Sequence, residues 1–185
     1  MKENRQISKE QGNSRKDIFE WIIILFIAAI AAFILDTQIV VNANIPSGSM
    51  KNTIMPGDRI MGNRLVYRNT DPERFDIIIF RFPDDKEKVY IKRIIGLPNE
   101  TVTIVDGKIY INNSKEALCD TYSLEPMTGS FGPYIIPDGS YFVMGDNRNN
   151  SFDSRFWKNS FVIKEDILGR AGIRYWPLQR IGIVK

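Results

Sequence analysis

Asn44–Met50 reads NIPSGSM, two serines on either side of a glycine, and a serine on such a turn can attack a carbonyl if a base takes its proton. The usual base is histidine, and the chain has none. A carboxylate is a weak base toward an alcohol, and the N-terminal amine lies across a predicted membrane span from the turn. Lysine remains, provided its neutral form is within reach. An ordinary lysine, with a pKa of about 10.4, is neutral in only about one molecule in a thousand near pH 7.4. Lowering the pKa to about 8 takes roughly 3.3 kcal/mol of differential solvation, which burial against apolar walls can supply. The sequence should therefore hold a lysine inside an apolar strand. VYIKRIIGL (89–97) is such a strand. Period-two alternation puts Tyr90, Lys92 and Ile94 on one face and Ile91, Arg93 and Ile95 on the other, so Arg93 can point away. Taken alone, the segment also fits the more ordinary surface strand with two solvated basic residues.

The elements that must position these groups begin with an apolar run. Ile18–Leu35, IFEWIIILFIAAIAAFIL, has Glu20 as its one polar residue, and a helix here would span about 27 Å, close to a bilayer's hydrocarbon core. Trp21 suits the interface. A cleaved signal peptide is the rival reading, with Val41-Asn42-Ala43 as small residues near a cut, but the run exceeds the usual apolar length of such leaders. Lys2, Arg5, Lys9, Arg15 and Lys16 precede the run and no basic residue follows until Lys51, so the positive-inside rule places the N-terminus in the cytoplasm. The expected organisation is a basic cytoplasmic tail (1–16), a single membrane-spanning helix (17–36) and an extracytoplasmic body (37–185).

The body reads as short β segments. DRIMGNRLVY (58–67), DIIIFRF (76–82) and KVYIKRIIGL (88–97) are β-branched and aromatic runs bounded by turn residues. ETVTIVDGKIYINN (100–113) predicts a hairpin on Asp106-Gly107, and YIIPDGSYFVMGDN (134–147) repeats that logic on Pro137-Asp138-Gly139. ILGRAGIRYWPL (167–178) predicts a closing strand pair, and Ser160–Leu168 hints at a short helix. Residues 113–133 break the alternation, within a small cap insertion expected over 108–133. The predicted fold class is mainly β, an antiparallel barrel-like or sandwich domain preceded by one helix.

Composition narrows the function. The chain of 185 residues has one cysteine, Cys119, so it has no intrachain disulfide, and without histidine a zinc site is nearly excluded. A net charge of +3, with both signs scattered over the body, describes a solvated surface and argues against nucleic-acid binding. No cofactor or metal is expected.

In chain order, IPSGSM, GDRI, YIKRIIGLP and MGDNRNNSFDSR resemble the motif set of type I signal peptidases, membrane-bound serine–lysine proteases of bacteria, and the match covers most of 39–175. The resemblance implies Ser49 as nucleophile and Lys92 as general base. It implies Ser47 as an oxyanion donor beside the Ser49 N–H, and Ser151 as a hydroxyl bonded to Lys92. Asp153 and Arg155 would form a structural ion pair, with Asp146 also kept as scaffold. Ile45, Pro46, Met50, Ile54, Tyr90 and Ile91 would line pockets for small side chains, giving an Ala-x-Ala preference in a signal peptide bound as an added strand. Signal peptides of exported preproteins and the bilayer are the implied partners, with the secretion translocon as a candidate third. Apolar residues around Ile39–Val41 and Met50–Met55 would rest on the membrane. Two departures stand out: Asn52 where the family commonly has proline, and Asn99 in place of a glycine. The short insertion resembles compact single-anchor members of Gram-positive bacteria. Two other readings fit less well. A self-cleaving protease of the repressor type would need a DNA-binding domain that residues 1–36 do not offer, and an inactive anchored β scaffold would not need all four hydroxyl and amine groups.

Overall fold

A computed structural model of the chain describes residues 3–34, 38–123 and 125–184. It separates into two units, 1–39 and 40–185. The first carries one helix, α1 (Glu3–Ile34), whose side chains from Ile18 to Phe33 are exposed on every face. Among the described residues no helix is long and apolar enough to cross a membrane. The span expected over 17–36 runs at its carboxyl end into 35–37, outside the described residues.

The second unit is antiparallel β structure with, among the described residues, eleven strands: β1 (Val40–Asn44), β2 (Arg59–Asn63), β3 (Ile77–Phe82), β4 (Asp85–Gly96), β5 (Thr101–Val105), β6 (Lys108–Ile111), β7 (Phe131–Ile135), β8 (Ser140–Met144), β9 (Val162–Ile163), β10 (Ile167–Trp176) and β11 (Gly182–Ile183). The main sheet runs β1-β2-β10-β3-β4-β8-β9 with β11 beside β10, and a second sheet runs β6-β5-β7. The fold is mainly β and antiparallel, as expected, and among the described residues the barrel-like arrangement does not close. β10 is one long strand rather than a hairpin, and its register shifts at Ile167/Gly169, Ala171/Ile173 and Arg174/Trp176 let it pair with β3 along one stretch and β2 along another. Such bulges sharpen twist and bend a strand.

The hairpin on Asp106-Gly107 forms as β5–β6, and both turn residues take positive φ, as a tight two-residue turn demands. The second predicted hairpin does not form. β7 pairs with β5 and β8 with β4 and β9, so Pro137–Gly139 carries the chain from one sheet to the other. The cap insertion over 108–133 starts in β6 and ends in β7, with its irregular part between them. The helix hinted at Ser160–Leu168 is β9 followed by a single 3-10 turn, Lys164–Asp166.

The core divides along the two faces of β4. Ile91 packs with Val41, Ile45, Met50, Ile54 and Ile79, while Tyr90 and Ile94 pack with Phe80, Phe82, Val143 and Trp157. Ile95 joins Val102, Ile136 and Phe142 between the sheets. The residues expected to rest on a membrane are placed otherwise: Val41, Met50 and Ile54 are buried. Exposed apolar side chains gather instead where Met61, Ile173 and Ile183 lie side by side across three strands, and on the following segment at Trp176, Leu178 and Ile181.

Gly96 ends β4 where the sheets meet, and a Cβ there would lie 2.5 Å from Val102 Cγ2 and 3.2 Å from Phe142 Cβ, against Ile136 as well. Gly96→Ala is expected to lower unfolding free energy by about 1–3 kcal/mol, read from the urea midpoint. Gly172→Ala, whose Cβ meets nothing nearer than 3.5 Å, is expected to stay near wild type.

Candidate active site

Lys92 and Ser49 meet. The lysine Nζ donates to Ser49 Oγ at 2.6 Å, although 43 residues separate them in the chain. Both are buried, Lys92 at 4% exposure and Ser49 at 9%. Lys92 leaves β4 on the face that carries Tyr90 and Ile94, with its Nζ 5.6 Å from the Tyr90 ring centroid. Burial dominates its titration and lowers the pKa to about 8, against weaker opposing fields from Asp153 and Asp146. As an ammonium it donates to the serine. When neutral, its lone pair at the same distance can accept the hydroxyl proton.

The two carboxylates whose fields oppose that shift are themselves neutralised. Arg155 clasps Asp153 through Nε and Nη2 at 2.8 and 2.9 Å, and Asp153 also accepts the Gly145 N–H at 3.0 Å. Arg93, on the opposite face of β4 from Lys92, clasps Asp146 at 2.8 and 2.7 Å. Its guanidinium lies 3.6 Å from the Tyr122 ring centroid and donates to the Phe75 carbonyl. Arg93 points away from Lys92 but into the protein rather than into solvent, because both faces of β4 are covered from Lys92 to Gly96. Thr53 Oγ1 donates to Asp146 as well, tying this pair to the loop that follows Ser49.

That loop is held by the Gly-Asp-Asn segment after β8. Asn147 donates from its backbone to the Ser49 carbonyl at 3.1 Å and from its side chain to the Gly48 carbonyl at 3.0 Å. A Cβ on Gly145 would collide with the Ser49 carbonyl and the Ser151 hydroxyl, so only glycine lets the two segments approach this closely. Ser47 Oγ lies 3.4 Å from Ser49 Oγ. Ser151 Oγ is buried but has no hydrogen-bond partner, so the bond expected from it to Lys92 is not made here. Asp58, in the GDRI segment, is buried and met by Arg180 at 3.0 Å and Arg174 at 3.5 Å.

A cleft of about 660 Å³ leads to the dyad, bordered by β1 on one side and Val89–Lys92 of β4 on the other. Of the residues assigned to substrate pockets, Ile45, Pro46, Tyr90 and Ile91 line it. Met50 and Ile54 do not: both are fully buried in the core behind Ser49, where the tight turn after the serine swings them inward. Leu168, Asn150 and Phe152 line the cleft without having been anticipated. Phe152 had a signal, an aromatic inside an otherwise polar box, whereas nothing local marks Leu168. Asn52 and Asn99 both take positive φ, at 92° and 66°, the conformation expected for Asn99. Among the described residues no acidic or cysteine cluster could hold a metal ion.

With this geometry in hand, comparison with known proteins is direct. Residues 18–176 match the family model described as signal peptidase, peptidase S26. The chain belongs to that family. It is 35% identical to signal peptidase I of Leptolyngbya laminosa over 96% of its length and 89% of that protein's. It is 33% identical to signal peptidase I P of Bacillus subtilis subsp. natto over 93% and 96% of the two chains. It is also 42% identical to probable signal peptidase I-2 of Synechocystis, over 76% of this chain and 65% of that protein. The class is therefore that of type I signal peptidases, serine endopeptidases.

The buried amine makes a stability prediction. Lys92 binds its proton less readily folded than unfolded, where its pKa is near 10.5. Between about pH 8 and 10.5 the unfolded chain is the more protonated state, so this group makes stability rise with pH across that window. Lys92→Met should remove that rise and raise unfolding free energy at pH 7 by about 1–3 kcal/mol, measured by denaturant unfolding from pH 7 to 10.5. Stability unchanged, with the rise intact, would mean the amine is not buried.

Proposed function

We propose that this chain removes N-terminal signal peptides from exported preproteins, with Ser49 as nucleophile and Lys92 as its base. The observation that carries the reading is the buried 2.6 Å contact between those two side chains at the end of a peptide-sized cleft. Neutral Lys92 takes the Ser49 proton as Oγ bonds to the scissile carbonyl carbon. The oxyanion that forms is within reach of the Ser49 N–H and, after rotation, of the Ser47 hydroxyl. Collapse breaks the C–N bond, and the Lys92 ammonium protonates the departing amine. Lys92 then deprotonates a water that attacks the acyl-serine, and its proton returns to Ser49. Ser151, its hydroxyl unpaired and packed with the Ser49 carbonyl against Gly145, would supply the bond to Lys92 by turning toward it once substrate arrives. No cofactor is needed for these steps.

The substrate would enter as a strand. Among the described residues β1 pairs only with β2, and β4 pairs with β8 only from Arg93 onward, so both borders of the cleft present unpaired backbone edges. Both strands run toward the dyad, and a peptide whose carbonyl end reaches Ser49 would lie parallel to them. The buried aliphatic wall of Ile45 and Ile91 leaves room for small side chains, consistent with an Ala-x-Ala preference.

The apolar circumference of α1 from Ile18, preceded by basic residues, supports a single membrane anchor with the N-terminus in the cytoplasm and the β unit on the extracytoplasmic face. The exposed patch of Met61, Ile173, Ile183 and Trp176 is the part of the β unit suited to lie on lipid.

Detergent-solubilised protein should cleave an Ala-x-Ala signal-peptide substrate, and Ser49→Ala or Lys92→Ala should each lower kcat by about a thousandfold or more. Ser47→Ala should cost about a hundredfold or more. Below about pH 8 the wild-type kcat/KM should fall about tenfold per pH unit, because the ammonium cannot act as base. Equal cleavage by all variants would remove the assignment.

A further inference from the structure

The two walls of the cleft differ, and the difference falls on alternate residues of any strand bound between them. One wall, on the Ile91 face of β4, is aliphatic and closed: Ile91, Ile45, Val41 and Ala43 are all buried. The other, on the Tyr90 face, is aromatic and open. Phe152 lines the cleft at 54% exposure, with its ring 6.2 Å from Phe82 and 6.4 Å from Trp157. Tyr90 lies stacked on Phe82 at 4.6 Å between centroids. The hydrolytic steps leave Phe152 unused, yet this large, solvent-exposed aromatic beside a peptide groove is set against two other rings, Phe82 and Trp157.

We propose that Phe152 and Tyr90 form a shelf for the side chain two residues before the cut, so that this enzyme selects large apolar or aromatic residues at the middle position of Ala-x-Ala. The inference rests on the proteolytic reading above and deepens it. An extended peptide alternates its side chains between the two faces of the sheet it joins. If the residues one and three before the cut turn to the closed aliphatic wall, the residue between them turns to the aromatic one. Tyr90 stands two residues before Lys92 on the same face, about 6.6 Å back along the strand from the dyad, which is the zone that residue would occupy. Ring contact and apolar burial then favour Phe or Leu over Ser there, by about three- to tenfold in kcat/KM.

The test is a set of fluorogenic signal-peptide substrates that differ only at x, with Phe, Leu, Ser and Lys, cleaved by the detergent-solubilised full chain and by Phe152→Ala and Phe152→Leu. Each enzyme serves as its own reference, because the readout is the Phe-to-Ser ratio of kcat/KM. The expected result is a wild-type ratio of about three to ten, falling to about one in Phe152→Ala and lying between in Phe152→Leu. A flat wild-type series, or an unchanged ratio in Phe152→Ala, overturns the shelf while leaving the peptidase assignment in place. Wild type that cleaves none of the peptides overturns the peptidase reading itself, and the shelf with it.

Discussion

Everything around the site follows from the need to keep one ammonium group poorly solvated. Lowering the pKa of Lys92 from 10.5 to about 8 corresponds to about 3 kcal/mol against its charged form. Two aspartates, Asp146 and Asp153, act in the opposite direction. An unpaired carboxylate in this low-dielectric surrounding would favour the ammonium and hold Lys92 charged. Each is instead engaged by both arms of an arginine, Arg93 or Arg155, so that its field at Lys92 is largely cancelled. The arginines serve the lysine by occupying its competitors. That arrangement explains why three guanidinium or amine groups can be buried so close together without collapse of the fold: every carboxylate has its own partner, and only the lysine is left to lose its charge.

The second constraint is topological. A sheet that closed completely between β1 and β4 would satisfy every backbone group and leave no place for a peptide. Here the bulges of β10 curl the sheet until the loop after β1 reaches β4, yet the last pairing is not made, and the unpaired edges border the cleft. Free edges normally invite association with other chains. In this molecule the edges are flanked by Ser49 and Lys92, so the liability coincides with the proposed substrate site. The same curl carries Ser49 to Lys92 across 43 residues of chain without either residing on a flexible arm.

Local patterns told the strands and the turn at Asp106-Gly107 from the sequence, because alternation and turn chemistry are properties of neighbouring residues. They did not tell which strands pair. The Pro137–Gly139 turn has hairpin residues but joins two sheets, since the burial of Ile136 and Phe142 against Gly96 and Val102 outweighs the local preference. Likewise Met50 and Ile54 were legible as apolar residues near the nucleophile, but whether such residues line a pocket or back it depends on a turn that carries them inward. Lys92 was legible because the chemistry demanded a lysine among hydrophobes. The roles of Asn147, which holds the Ser49 turn, and of Arg93, which holds Asp146, were not, because both act through contacts far apart in sequence.

The glycine after β8 shows how these levels join. Gly145 sits where the box bearing Asp146, Asn147, Ser151 and Asp153 crosses the nucleophile turn. Its missing side chain is the space that the Ser49 carbonyl and the Ser151 hydroxyl occupy. Through that approach Asn147 donates to both carbonyls of Gly48 and Ser49, which fixes the turn, and Asp153 takes the Gly145 N–H. One backbone crossing therefore fixes the Ser49 turn and the Asp153–Arg155 ion pair in a single step. The same crossing leaves Ser151 Oγ buried without a hydrogen-bond partner, as are Arg148 Nη2 and Trp157 Nε1 among the described residues, whereas the backbone groups that meet there are paired.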